Sequence, residues 1–211
     1  MDINEKFVIT INRELGSGGH TVGEKLAQKL GVKYYDKAQI EGLTEKFGLS
    51  VEEIERIKRQ KKSWWTTFNE FYDKCFSLHL SADQDEKPTT AAMFETERRI
   101  LEELAHEESC VVAGRSAFLV FREWPNHLNV FIQASMGYRL QRIMKKQKVS
   151  LGKAQDIIDE VDEGRENYLN NYSSRSRYDT RNYQLVISMD EMTEDGAVDV
   201  IMAYIKAMSG C

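Results

Sequence analysis

A short apolar run that ends in a glycine-rich turn constrains this chain more than any other feature. Phe7–Ile11 leads into a turn that holds Gly16, Gly18 and Gly19, and a helical pattern follows at once. Glycines let backbone N–H groups converge on one point, and the N–H groups and dipole of a helix N-terminus favour negative charge there. The stretch predicts an anion site, with phosphate as the expected anion, although an ordinary strand-to-helix turn is the alternative.

Part of the P-loop pattern G-x-x-x-x-G-K-[ST] is present in this turn. Placing its second glycine on Gly18 puts Arg13 on the first glycine and Gly19 on the lysine. The lysine that would reach the phosphates is therefore missing from its expected position.

The turn also resembles the dinucleotide fingerprint G-x-G-x-x-G, which marks nicotinamide- and flavin-dependent enzymes. Gly16 and Gly18 fit the first two glycines, but Thr21 stands where the third belongs. Asp36, about 20 residues further on, would suit a ribose in such a site. A dinucleotide-dependent oxidoreductase therefore remains open at this point.

Strand and helix patterns alternate five times along the chain, which predicts an α/β fold with a five-stranded parallel sheet between two layers of helices. Ligands in such sheets bind at the carboxyl ends of the strands, where the turn, Asp36 and Arg115 should meet. Helical patterns begin at Thr21, near Thr90, after a Ser135 cap, near Ser150 and near Ala197. The predicted strands are Phe7–Ile11, Lys33–Tyr35, Cys110–Ala113, Leu128–Ile132 and Leu185–Ile187.

Composition narrows the class of protein. The 211 residues carry a net charge of −5, which argues against a general nucleic-acid binder. The sequence has no apolar stretch near the roughly 18 residues that a membrane span needs. Its three cysteines lie far apart and no signal peptide precedes them, which indicates reduced thiols and a cytoplasmic location.

The expected organisation is a single domain, residues 1–211, with a helical insert at about 50–107 and a lid at about 145–180. An apolar stripe with helical spacing runs from Trp64 to Leu78. Such a stripe is usually core, but it leaves a homodimer open.

With Gly114-Arg115 at the end of the third predicted strand, most of the chain resembles the cytidylate kinase-like family of bacterial P-loop proteins, least from about residue 60 to 90. The matching motifs are Arg13-Glu14 with Gly16–Gly19, the YYDK and VVAGR stretches, and a late pattern of Asp162, Arg165, Tyr168 and YQLVI. The resemblance implies a P-loop nucleoside-monophosphate-kinase-like fold and a cytoplasmic transferase that binds ATP, Mg²⁺ and a nucleotide substrate.

The same resemblance suggests a role for each candidate residue. ATP would bind Gly16, Ser17, Gly18, Gly19, His20 and Thr21, with the Thr21 hydroxyl on magnesium, and Asp36 and Arg115 would hold the acceptor. Arg13, Arg139, Arg142 and Arg165 would neutralise the charge of the transferred phosphoryl group, replacing the missing lysine. Asp162, Glu163 or Asp179 would pair with these arginines, and Arg175 and Arg177 are weaker candidates for the same lid.

Three functions follow from these predictions. The first is ATP-dependent phosphoryl transfer to a nucleoside monophosphate, CMP or dCMP being favoured. The second is a catalytically weak or inactive nucleotide-binding or regulatory protein that lost turnover with the lysine. A kinase of a non-nucleotide small molecule is also open, because the insert that would shape the acceptor pocket resembles the family least.

Overall fold

The computed structural model of the chain describes residues 1–36, 90–114, 116–170 and 173–209. Residues 50–89 of the predicted insert, including the Trp64–Leu78 stripe, lie outside the described residues, as does Arg115. The predictions of a single domain, an insert and a lid therefore stay predictions.

Five parallel strands form one sheet in the order β2-β3-β1-β4-β5, which confirms the predicted α/β architecture. In the register of this sheet, Val8 of β1 lies beside Cys110 on one side and His127 on the other. The strands are β1 (Val8–Arg13), β2 (Lys33–Tyr35), β3 (Cys110–Ala113), β4 (His127–Gln133) and β5 (Leu185–Ser188).

Helices cover both faces of the sheet. Apolar side chains of α1 and α6 pack on one face, and those of α2 and α3 pack on the other. Helices α4 and α5 pack on each other through a separate cluster that also holds Leu15 of the glycine-rich turn. The described helices are α1 (Gly19–Leu30), α2 (Thr90–Glu107), α3 (Ala117–Val120), α4 (Met136–Gln147), α5 (Leu151–Asn170) and α6 (Glu194–Ser209), with a 3₁₀ turn at Thr180–Asn182.

The limits of the elements follow local chemistry. Ser135 caps α4 as predicted, because its hydroxyl accepts the Tyr138 N–H at 3.3 Å. Strand β1 extends to Arg13, two residues beyond its apolar run, since Arg13 still lies in register with Ile132 of β4. None of the described helices combines the length and the apolar character that a membrane span requires.

Candidate functional site

The glycine-rich turn joins the central strand β1 to α1 and forms an anion cradle. Gly16 and Gly18 have φ angles of 84° and 90°, the left-handed region that side chains disfavour. The first helical hydrogen bond runs from the Val22 N–H to the Gly18 carbonyl at 3.1 Å. The N–H groups of Gly19, His20 and Thr21 precede that bond, so they are the donors that a helix N-terminus offers to an anion.

Glu14 and Ser17 fix the turn to the sheet. The Glu14 N–H donates to the Ile132 carbonyl at 3.1 Å, and the Glu14 carboxylate accepts the Ala134 N–H at 3.0 Å. Ser17 is fully buried, and its hydroxyl donates to the Glu14 carbonyl at 2.9 Å. The Ser17 N–H donates to the same carbonyl at 3.3 Å, so both donors of Ser17 shape the turn.

Arg13 passes so close to Gly19 that no side chain fits there. A Cβ built on Gly19 would lie 2.6 Å from the Cβ of Arg13 and 3.1 Å from the Cβ of Ile132. The other end of the Arg13 side chain lies against Gly114, where an added Cβ would overlap Nη1 of the guanidinium. The glycine at the lysine position thus leaves room for an arginine that comes from β1.

The Arg13 guanidinium lies at a point where the sheet changes its winding direction. The chain from β1 returns as β2 on the β3 side, whereas the chain from β3 continues to β4 on the opposite side of β1. Open α/β sheets bind ligands in the crevice that such a switch creates. Gly114 ends β3 at this crevice, and the candidate acceptor residue Arg115 follows it outside the described residues.

Asp36 is brought to the same edge by β2. Its Oδ2 lies 3.1 Å from Nε2 of His20, whose Nδ1 lies 3.3 Å from the Glu24 carboxylate. The Tyr34 ring packs edge-on at 5.5 Å from the His20 ring. His20, predicted to bind ATP, and Asp36, predicted to hold the acceptor, are therefore in contact.

Arg142 lies beside the mouth of the turn. Its guanidinium carbon would be 3.5 Å from a Cβ on Gly18, and its Nη2 pairs with Glu194 at 2.7 Å. Burial raises the pKa of Glu194, but hydrogen bonds from its own N–H and from Arg142 outweigh that effect and the pKa lies below its ordinary value. Glu194 starts α6, and sequence spacing gave no signal that it would meet Arg142.

Arg139 is a buried connector between the turn and α5. Only 5% of the residue is exposed, and its Nε donates to the Leu15 carbonyl at 2.7 Å. Its Nη1 lies 3.3 Å from the Glu14 carboxylate, and its Nη2 donates to Asp162. The predicted contact of Arg139 with substrate stays a prediction, because Leu15, Glu14 and Asp162 are all groups of the protein.

Asp162 holds several of the candidate residues together. Its carboxylate accepts the Leu15 N–H at 3.1 Å and the Arg165 Nη1–H at 3.0 Å, besides the bond from Arg139. Arg165 also donates to the carbonyl of Arg13 at 3.2 Å. One α5 carboxylate thus connects the turn, α4 and the predicted lid, as the motif with Asp162 and Arg165 suggested in part.

Arg177, one of the two weaker candidates from the sequence, is the most deeply buried of the candidate arginines that the structure describes. Its Nη2 donates to the Arg13 carbonyl, and its Nη1 lies 3.6 Å from Oδ1 of Asp162. The following segment encloses it, because the Tyr183 hydroxyl donates to the Arg177 carbonyl at 2.6 Å and Asn12 donates to that hydroxyl.

The residues of the site fit a magnesium ion only in the company of phosphates. In the part of the chain that the structure describes, no group of three or more His, Cys, Asp or Glu side chains could enclose a metal ion. Mg²⁺ in phosphoryl-transfer sites is usually held by one or two protein oxygens, water and the substrate phosphates. Thr21, the predicted magnesium ligand, lies in the first turn of α1, and the Glu194 carboxylate also approaches the turn, with Oε1 3.6 Å from a Cβ built on Gly18.

Comparison with known proteins assigns the chain to a family. The model described as the cytidylate kinase-like family matches residues 8–191. Cytidylate kinase of Pyrococcus horikoshii is 25% identical over 203 residues, which are 95% of this chain and 89% of that protein. Cytidylate kinase of Methanosarcina barkeri is 24% identical, covering 96% of this chain and 98% of that protein.

Solved structures share the fold. An uncharacterized protein from Eubacterium ventriosum has a TM-score of 0.69 at 22% identity, covering 95% of this chain and 98% of that one. Shikimate kinase from Bacteroides thetaiotaomicron has a TM-score of 0.51 at 17% identity, with the same coverage. At these identities the likeness concerns the three-layer architecture alone.

Proposed function

Because the chain belongs to the cytidylate kinase-like family, we propose that it catalyses ATP-dependent phosphoryl transfer to a nucleoside monophosphate. CMP or dCMP is the favoured acceptor, since the relatives named above are cytidylate kinases. The observation that carries the proposal is the Arg13 side chain, which crosses Gly19 beside an anion cradle at the switch point of the sheet.

ATP binds on the turn in this proposal. The backbone of Gly16–Gly19 and the N–H groups of His20 and Thr21 receive the phosphates, and the Thr21 hydroxyl is a ligand of magnesium. When bound, magnesium would neutralise phosphate charge. Arg142 lies at the mouth of the turn, held by Glu194 until phosphate offers a second partner.

The acceptor binds in the crevice between β1 and β3. Asp36 orients it through a hydroxyl or base group, and Arg115 holds its phosphate, as the family resemblance implies. An oxygen of the acceptor phosphate attacks the γ-phosphorus of ATP, and the bond from that phosphorus to the β,γ-bridging oxygen breaks to release ADP. The attacking oxygen is already ionised near neutral pH, so the step needs no general base.

Arginines supply the charge that a P-loop lysine would supply. Arg13 is the nearest replacement, because its side chain occupies the space that a side chain at Gly19 would need. A guanidinium can hold two phosphate oxygens at once, which an ammonium cannot. Arg165 joins it from α5, and Arg139 acts by fixing Leu15 and Glu14 of the turn.

A coupled ADP-release assay tests the proposal. The protein is mixed with ATP, Mg²⁺ and each nucleoside monophosphate in turn, beside Arg13→Ala, Arg13→Lys and the exposed control Arg122→Ala. We expect turnover with CMP or dCMP, a loss of about 10²–10³-fold in Arg13→Ala, and no change in the control. Turnover that survives Arg13→Ala would remove Arg13 from the mechanism and leave the kinase in place.

A nucleotide-binding protein without turnover is the second candidate. It is favoured by one observation, namely that the guanidinium groups of Arg139 and Arg165 already bond to Asp162. ATP binding by calorimetry, with no ADP release for any monophosphate, would support this candidate or an acceptor outside the nucleotides. The family match gives no support to the dinucleotide-dependent oxidoreductase that the glycine pattern left open.

A further inference from the structure

We propose that Arg177 is a further phosphate-binding residue of this site, one that takes a phosphoryl oxygen on its Nε and Nη1. The inference rests on the proposed function for the identity of the ligand, which is the polyphosphate of a nucleotide. The sequence left Arg177 among the weaker candidates for the lid, and the family motifs quoted above do not include it.

The guanidinium of Arg177 is buried with donors to spare. The residue is 2% exposed, and among the described residues neither Nε nor Nη1 has a hydrogen-bond partner. Nη1 points toward Asp162, but the separation of 3.6 Å from Oδ1 is beyond hydrogen-bond range. Burying guanidinium N–H groups without acceptors lowers the stability of the fold. Their presence here therefore points to a bound ligand that supplies the acceptor.

The two protein acceptors that face the Arg177 guanidinium also receive hydrogen bonds from other arginines. The Arg13 carbonyl, which accepts from Arg177, also accepts from Arg165. The Asp162 carboxylate, which lies near Arg177, is already bonded by Arg139 and Arg165. Removing the Arg177 guanidinium would thus leave neither acceptor without a donor, so hydrogen bonding within the protein gives little reason to bury this charge.

Asp162 faces three guanidinium groups, those of Arg139, Arg165 and Arg177. Two further carboxylates take part, because Glu14 pairs with Arg139 and Glu166 accepts the Arg177 N–H at 3.1 Å. Burial lowers the pKa of Arg177, and the neighbouring charge of Arg165 lowers it further. An anion that reaches Nε and Nη1 of Arg177 would satisfy the donors that these carboxylates leave open.

The position of Arg177 relative to the turn defines the class of ligand. It bonds to the backbone of Arg13, the residue directly before the turn, so its donors lie next to the anion cradle. Arg165 shares both neighbours of Arg177, and its side chain is 22% exposed, which makes it the accessible side of the cluster. A phosphate or polyphosphate that binds the turn is the anion within reach.

Calorimetric titration with tripolyphosphate tests the inference without any acceptor or turnover. The variants are Arg177→Met, which keeps length and removes charge, and Arg181→Met, a control whose arginine is exposed and pairs with Asp179. We expect Arg177→Met to bind tripolyphosphate about 10- to 100-fold more weakly, because it loses charge-assisted hydrogen bonds. Its melting temperature without ligand should stay level or rise. Unchanged affinity in Arg177→Met, or an equal loss in Arg181→Met, would overturn the inference.

Arg177→Lys keeps the test decisive if Arg177→Met does not fold. Lysine keeps the charge but lacks the fork of donors, so tripolyphosphate affinity should still fall, and wild-type affinity in Arg177→Lys would overturn the inference. A different result would contradict the proposed function alone. In that case no monophosphate gives ADP release, while the Arg177 variants still lose affinity for tripolyphosphate. Turnover and affinity that both survive in every Arg177 variant would reject the inference and leave the kinase standing.

Discussion

Arg13 and Gly19 compete for one volume: a Cβ on Gly19 would lie 2.6 Å from the Cβ of Arg13. Gly19→Lys restores the lysine of the P-loop sequence motif, but its side chain would displace Arg13. We therefore expect Gly19→Lys to lower the rate of ADP release. The measurement is the coupled assay, with the unfolding free energy recorded in parallel. Since overpacking costs about 1–3 kcal/mol, Gly19→Ala should show the steric part of the loss alone.

The double variant Arg13→Gly/Gly19→Lys moves the cation from the strand to the helix. Removing the Cβ of Arg13 clears the closest contact, so the double variant should recover part of the activity that Gly19→Lys loses. Arg13→Gly alone is the matched control, because it clears the same space without supplying a charge. A double variant no better than Gly19→Lys would show that the steric relationship does not limit the site.

Asp162→Asn should destabilise the protein strongly. The substitution replaces a buried carboxylate that accepts hydrogen bonds from Leu15, Arg139 and Arg165 with a neutral amide. Breaking a buried ion pair costs about 3–5 kcal/mol. Urea denaturation measures the change, and Asp159→Asn on the exposed side of the same helix is the control. Equal stability of the two variants would mean that the arginines find other partners.

Tyr34 and Tyr35 are neighbours in the sequence whose replacement by phenylalanine should have opposite effects on stability. The Tyr34 hydroxyl is buried and has no hydrogen-bond partner among the described residues, whereas the Tyr35 hydroxyl donates to Glu108 at 2.7 Å. Tyr34→Phe should keep or raise stability, because it removes an unsatisfied polar group. Tyr35→Phe should lose about 1–2 kcal/mol, as read from thermal or urea unfolding. A loss in Tyr34→Phe as large as that in Tyr35→Phe would contradict this account.

His127 should make folding sensitive to mild acid. Burial lowers the pKa of His127 to about 4 from an ordinary value of 6.5, against the opposing effect of a hydrogen bond to the Phe121 backbone. The unfolded chain therefore takes up the proton first, and stability that is full above pH 6.5 is lost as the pH falls toward 4.

Urea unfolding between pH 7 and pH 4.5 measures this loss, which we expect to reach about 1–3 kcal/mol because His127 is only partly enclosed. His127→Gln should flatten the profile, whereas the control His106→Gln, on an exposed histidine, should keep it. A wild-type profile that His127→Gln leaves unchanged would assign the acid sensitivity to another group.

Sequence patterns predicted the sheet and the turn because both are local. Short stretches rich in apolar or aromatic residues marked the strands, and β2 and β3 have the predicted limits, Lys33–Tyr35 and Cys110–Ala113. The Ser135 cap and the glycines of the turn also act within a few residues of themselves. Such features are visible in spacing, and the structure confirms them.

The side-chain partnerships of the site could not be read in the same way. Asp162 meets the Leu15 N–H across 147 positions, and Glu194 reaches Arg142 from the start of α6. No period relates residues so far apart, and packing alone decides which arginine meets which carboxylate. The reason for Gly19 was hidden too, since a missing lysine in the sequence does not show that Arg13 fills the space.

The bonds of Asp162 make the turn and α5 a single mechanical unit. Separating α5 from Leu15 requires breaking the backbone bond and rearranging the Arg139 and Arg165 pairs in one event, because all of them end on the same two oxygen atoms. Opening of this region should thus be all-or-none, with the Leu15 amide and the amides of central α5 exchanging hydrogen at a common rate. A ligand on the turn would then slow exchange along α5 at amides well beyond the residues that it touches.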